Sequence, residues 1–336
     1  MPQLTEPISP VKREDLSDQL VVVDQRSTPV MSMIRKDPSP TNTLYEWTVD
    51  SYDSPSTKGT IDGTDVSSWA NKAANRAKLK NHIQVVRRTA KVSRLAENLS
   101  TVPGVSSEIG HAAKRCLTEM ARDIECVLLG DNNSQTDDGT KPYLTRGIGK
   151  WIVSSDSDQY PVPSSHLPSA SQIVTTACSS LREDTDVQGI LQAIFDSTGM
   201  TGDYKLVAGS VLRRRFTDMT RTVTNAASNG GAARARTFTT TLESQSIQDT
   251  VSFYQGDFGS LQILASNWIG ASGDADNASP DTDRGYLIDM DKLSMCFNKR
   301  PSAERLTDEG GGPRVLVEAV FGTKCLSPKG LGKFQP

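Results

Sequence analysis

Three histidines, His82, His111 and His166, and five cysteines, Cys116, Cys126, Cys178, Cys296 and Cys325, are the side chains of this 336-residue chain best suited to hold a metal or to act as a nucleophile. Zinc sites gather Cys and His at short spacings, but no C-x-x-C pair occurs and the three histidines lie on widely separated segments. Asp274-x-Asp276 begins like a calcium loop and lacks the Gly and terminal Glu that would complete it. A G-x-S-x-G elbow, a phosphate-binding G-x-x-x-x-G-K-[ST] loop and a strand-turn-helix G-x-G-x-x-G are all missing. The expectation is a protein without catalytic residues, bound metal or cofactor. An unrecognised hydrolase is the weaker rival, since no nucleophile stands beside a base.

Charge is the stronger signal. The formal net charge is only -3, yet residues 1–70 hold eleven acids against six bases, and residues 71–94 hold eight bases and no acid. Those bases are Lys72, Arg76, Lys78, Lys80, Arg87, Arg88, Lys91 and Arg94. Such a run can grip phosphates or dock on an acidic protein surface. Aromatic residues for base stacking are not interleaved with it, so docking between copies of the same chain is the sharper expectation. A second cluster, Arg213, Arg214, Arg215 and Arg221, is opposed only by Asp218 and can face DNA or another subunit.

The elements that would position these charges follow from pattern. Pro7, Pro10, Pro29, Pro38 and Pro40 break residues 1–42 into an extended arm. In TLYEWTV, Tyr45, Trp47 and Val49 alternate with polar residues as a strand does. His82 to Ser93 is a second β-rich stretch, expected to pair with it as a long hairpin around a polar projecting loop. From residue 106 to 130, Ile109, Cys116, Leu117, Met120, Ile124, Val127 and Leu128 mark one helical face. Ser106 or Ser107 is expected to cap it, Gly130 to stop it, and Arg115–Glu119 and Arg122–Glu125 to pair outside. That helix would be roughly 35 Å long. A Pro/Ser linker at 154–170 marks the main boundary. Beyond it lie helical patterns at 169–183, 186–198 and 210–224, strands at YKLVA, 236–255 and 259–267, and two late strands joined by a GGG turn. No stretch is long and apolar enough for a spanning helix, and the Pro-bearing start does not read as a signal peptide. The widely separated cysteines read as reduced thiols.

In order along the chain, TPVMSMI, YEWTVDS, a polar loop, QVVRRTAKVS, a helix ending TEMARDIECVLLGD, TRGIGKWI, LQAIFDSTG and VAGSVLRRRF resemble the major capsid proteins of one group of tailed phages. The resemblance implies the α+β Hong Kong 97 capsid fold: an N-arm (1–45), an extended E-loop hairpin (46–93), a peripheral domain (94–169) with its spine helix at 106–130, an axial domain (170–270), and strands at 271–336 returning to the peripheral domain. It implies a non-enzymatic shell protein that assembles in the host cytoplasm into hexamers and pentamers of a virion capsid. The implied partners are a portal, scaffold or decoration proteins and non-specifically packaged double-stranded DNA, with no membrane. A DNA-binding accessory protein is the alternative. Val30, Met31, Met33 and Ile34, with Tyr45 and Trp47, are then expected to be buried by a neighbouring subunit. The cations Lys72, Arg76, Lys78, Lys80, Arg87 and Arg88 are expected to complete the same contact.

Overall fold

A computed structural model of the chain describes residues 28–99, 107–220, 252–271 and 280–336. Arg221, most of the expected N-arm and most of the strand expected at 236–255 lie outside these residues. In chain order the elements are α1 (Pro29–Met33), β1 (Arg35–Asp37), β2 (Leu44–Val49), β3 (Ala77–His82), β4 (Gln84–Lys91), α2 (Arg94–Asn98), α3 (Glu108–Leu128), α4 (Ile148–Trp151), β5 (Ile173–Val174), α5 (Gln188–Thr198), β6 (Gly202–Ala208), α6 (Ser210–Thr220), β7 (Phe253–Gly256), β8 (Gly259–Ala265), β9 (Gly285–Ile288), β10 (Leu293–Leu306), β11 (Arg314–Cys325) and β12 (Gly332–Phe334).

Helix α3 forms where the three-and-four apolar spacing predicts it. The Ser107 hydroxyl caps it by accepting the Gly110 N–H (3.2 Å), and Glu97 of α2 accepts the Ile109 N–H (3.0 Å). Ile109, Cys116, Met120, Ile124 and Leu128 are buried on one face, packed on a four-stranded sheet of order β1-β10-β11-β4. Strand β11 supplies Val315, Val317, Ala319 and Phe321 to that core. Strand β4 is the border of this sheet; its outer edge meets no other strand among the described residues.

A six-stranded sheet of order β5-β12-β9-β6-β8-β7 forms the second layer. One of its faces packs on α5 and α6 through Ile190, Leu191, Ile194, Leu212 and Phe216. Val207, Tyr286 and Ile288 point the other way and join the core under α3. The two sheets therefore share one continuous interior.

Several expectations change. β2 pairs with β3 in antiparallel register, Leu44 opposite His82 and Val49 opposite Ala77. The stretch expected as its partner, β4, pairs instead with β11, more than 200 residues away. A long loop imposes no register of its own, so burial decided the pairing. The 271–336 segment is divided: β10 and β11 build the four-stranded sheet, while β9 and β12 join the six-stranded one. The helix expected at 169–183 is replaced by short turns around β5. The 154–170 linker is packed, with Asp158, Val162 and Leu167 buried. Gly130 does not end α3 in the left-handed conformation; Leu129 is the cap. What Gly130 and Gly147 provide is a close backbone crossing, since a Cβ on Gly147 would lie 2.2 Å from the Gly130 carbonyl oxygen.

Candidate assembly surfaces

The apolar hook of the arm is held by its own chain. Val30 and Ile34 are 0% and 4% exposed, inside the core under α3. Pro29 opens α1, leaving the N–H groups of Val30 and Met31 without helical acceptors. Glu125 of α3 supplies both, accepting at 2.9 and 2.7 Å. Burial pushes its carboxyl above the usual range, although the two N–H donors pull it down. Glu125 is thus an anchor rather than the partner of Arg122, whose guanidinium lies over the Trp268 ring at 4.8 Å. Met31 packs against the core from a half-buried position, and the Lys205 ammonium reaches Met33 Sδ at 3.2 Å. Orphaned in sequence, the hook is satisfied in three dimensions at home.

The base of the β2–β3 ribbon is fixed in the same way. Trp47 is 7% exposed, donates its indole N–H to the Cys325 carbonyl at 2.9 Å and sits 5.7 Å from the Trp151 ring. Tyr45 stacks on Trp47 and donates its hydroxyl to the Thr323 carbonyl. Both aromatics thus pack against their own chain, Trp47 buried and Tyr45 half-buried. Beneath them the segment TRGIGKWI carries Arg146, fully buried, over the Trp151 ring (4.3 Å) and paired with Asp156 at 2.9 Å and Asp158 at 3.8 Å.

The opposed charges also meet within the chain. Lys72 pairs with Asp53 at 2.5 Å, Arg76 with Asp50 at 3.2 Å, and Lys78 and Lys80 with Glu46 at 3.1 and 2.9 Å. Hydrogen bonds from Lys80 and Lys78 hold the Glu46 carboxyl below its usual range, and Lys72 does the same for Asp53. Arg87 meets Glu318 at 2.6 Å, and Arg88 makes a two-pronged contact with Asp123 at 2.6 and 2.7 Å. The acidic-then-basic sequence pattern thus zips the ribbon and ties β4 to its own sheet and helix, and acids of a second chain are not required for it. Among the second arginine cluster, Arg215 donates to the Leu181 carbonyl (2.8 Å), Arg213 approaches the Ile263 carbonyl (3.5 Å), and the exposed Arg214 lies 4.0 Å from Asp218.

What the ribbon leaves unburied is its tip. Residues 50–74 are all exposed, and they include Tyr52, Ile61, Val66 and Trp69, the last at 88%. Reading this loop simply as polar passed over these four residues. The signal was available as large apolar side chains in a segment with neither helical nor strand period. Asp50, Asp53, Asp62 and Asp65 against Lys58 also leave residues 50–70 acidic. Elsewhere, the sheet face turned away from α3 carries Val85, Arg87, Thr89 and Lys91 on β4 opposite Val320, Glu318, Leu316 and Arg314 on β11. Among the described residues no group of three or more His, Cys, Asp or Glu is placed to hold a metal ion, and no helix is long and apolar enough to cross a membrane.

Among solved structures, several phage capsid chains superpose on this fold over nearly its whole length. The capsid of the cyanophage P-SCSP1u covers 97% of this chain and 93% of its own at a TM-score of 0.58 and 11% identity. The capsid of a native GTA particle covers 98% and 96% at 0.60 and 11%, and a Mycobacterium phage Cain structure 100% and 99% at 0.57 and 11%. At such identities the likeness establishes the fold, which is the Hong Kong 97 type. No curated protein matches the chain by sequence. The family model of the SU10 major capsid protein, in contrast, matches residues 4–336. Nearly the whole chain thus answers to one family description, and the protein belongs to the SU10 major capsid protein family, whose members build the head shells of tailed phages.

Proposed function

We propose that this subunit closes its shell by laying the 50–74 loop on a neighbouring copy. The observation that carries this is the exposure of Tyr52, Ile61, Val66 and Trp69 together on a loop whose base is rigidly packed. Burying each is worth about 1.5–3 kcal/mol before the cost of ordering the loop. The receiving surface is the open face of the four-stranded sheet, where Lys91 meets the loop acids Asp62 and Asp65 and Leu316 offers apolar contact. In this reading Lys72, Arg76, Lys78 and Lys80 hold the ribbon in shape for docking. The hook residues Val30, Met31, Met33 and Ile34 act indirectly, by fixing the body from which the ribbon projects.

The family's names for parts apply accordingly: α3 and the four-stranded sheet as peripheral domain, α5, α6 and most of the six-stranded sheet as axial domain. Repetition of the contact gives hexamers and pentamers, assembled in the host cytoplasm. The shell would enclose double-stranded DNA, with Arg213, Arg214 and Arg215 available to phosphates, and would meet a portal and scaffold or decoration proteins. Deleting residues 55–75 is expected to leave a cooperative melt and to abolish closed particles in negative-stain micrographs. Closed particles from the deleted chain would refute the role of the loop.

A further inference from the structure

Where the ribbon joins the body, the chain passes through one ionisable side chain. His82 ends β3, lies opposite Leu44 of β2, and is followed after a single residue by β4. The Ile83 N–H closes this corner by donating to the Thr43 carbonyl at 3.0 Å. The imidazole is 3% exposed. It is flanked by the rings of Tyr143 and Tyr160 at 5.4 and 5.5 Å between centroids. Its Nε2 is 3.3 Å from Thr136 Oγ1, and its buried Nδ1 completes no hydrogen bond, with the Thr43 carbonyl as the acceptor beside it. Thr136 in turn donates to Gln159. Three parts of the molecule therefore meet on one ring: the ribbon, the loop that carries Thr136 and Tyr143, and the loop that carries Asp158 and Tyr160.

Few charges face that ring. Asp158 is occupied by Arg146 at 3.8 Å and by the N–H and hydroxyl of Ser134 at 2.8 and 2.5 Å. Lys80, two residues back along β3, holds its ammonium over the Tyr160 ring at 5.6 Å while bound to Glu46. An added positive charge on the imidazole would thus have no dedicated counter-ion and would lie on the same side as a lysine.

We propose that His82 is a proton-operated joint: the neutral ring keeps the ribbon base packed, and protonating it releases β2 and β3 from the body. Burial lowers the proton affinity of the ring, with the Thr43 carbonyl and Asp158 opposing that effect without cancelling it. The sign follows from linkage. A histidine that is harder to protonate when packed contributes its full stability above the ordinary value of 6.5, and this contribution is lost as pH falls from there towards the lowered value.

Hydrogen exchange of the full-length unassembled chain at pH 7.5 and 5.5, corrected for intrinsic exchange, tests this. The opening constants of the β2 and β3 amides are expected to rise by up to about tenfold per pH unit below 6.5, with those of α3 unchanged. His82→Gln and His82→Phe, the second preserving the ring stack, should both remove the pH dependence. Wild-type protein without the dependence, or both variants retaining it, would overturn the proposal. A ring titration of wild-type His82 by NMR provides a check that needs no variant: a midpoint below 6.5 supports the joint, and one at or above 6.5 overturns it. Because the chain is unassembled, these outcomes are independent of whether the loop docks on a second copy.

Discussion

The ribbon carries two tryptophans in opposite circumstances, and exchanging each for alanine separates folding from assembly. Trp47 is buried against Trp151 and bonded to the Cys325 carbonyl, whereas Trp69 stands almost wholly in solvent. Trp47→Ala opens a cavity in the main core and unpairs a carbonyl, an expected loss of about 3–5 kcal/mol of unfolding free energy. Trp69→Ala removes no contact within the subunit, so its unfolding free energy should stay within about 0.5 kcal/mol of wild type. On docking, however, it forfeits about 2–3 kcal/mol at every contact. Since about 1.4 kcal/mol is a factor of ten, the concentration needed for assembly should rise by roughly 30- to 150-fold. Urea unfolding followed by circular dichroism measures the first quantity, and particle yield against protein concentration by sedimentation measures the second. Two outcomes would refute the reasoning: a Trp69→Ala chain that unfolds as readily as Trp47→Ala, or one that assembles at wild-type concentrations.

Two further contrasts follow. Arg88→Ala breaks a two-pronged, half-buried contact with Asp123 and should cost about 1–3 kcal/mol in urea unfolding; Arg87→Ala, on an exposed pair, should cost under about 1 kcal/mol. The hydrogen bond from Arg87 holds the Glu318 carboxyl below its ordinary 4.5. The small contribution of that pair is therefore complete above that value and fades as the pH falls below it, an effect the Arg87→Ala chain should show more weakly, since Lys299 at 3.2 Å still holds the carboxyl. Arg146→Ala would strand Asp156 and Asp158, 3% and 0% exposed, at an expected cost of about 3–5 kcal/mol, read as a lower urea midpoint with an unchanged slope.

Periodic signals read directly. The α3 face from Ile109 to Leu128 and the Tyr45, Trp47, Val49 alternation both reported real elements, because local spacing alone determines which side of a helix or strand is apolar. Pairing was different. β4 finds β11 across more than 200 residues, and no local pattern specifies that choice. Glu125 illustrates a further limit. Beside Ile124 on the α3 surface it reads as a solvent-side partner for Arg122, and only the approach of Val30 and Met31 turns it inward as an acceptor. The charge pattern at 46–80 was legible as complementarity but not as the short range over which it acts, since opposite charges on the two paired strands of the ribbon neutralise one another before a second chain arrives. For the loop, composition concealed four apolar side chains among many small polar ones, and exposure became visible only with the ribbon in place.

The bare border of the four-stranded sheet has one more consequence. Among the described residues, every second residue of the eight-residue strand β4 turns its backbone N–H and C=O to an open edge, the kind of template on which fibres grow when a protein accumulates in quantity. Arg87, Arg88 and Lys91 lie along it, so two such borders brought edge to edge would set cation against cation. Replacing those cations with threonine would be expected to yield amorphous precipitate in place of a stored, usable stock.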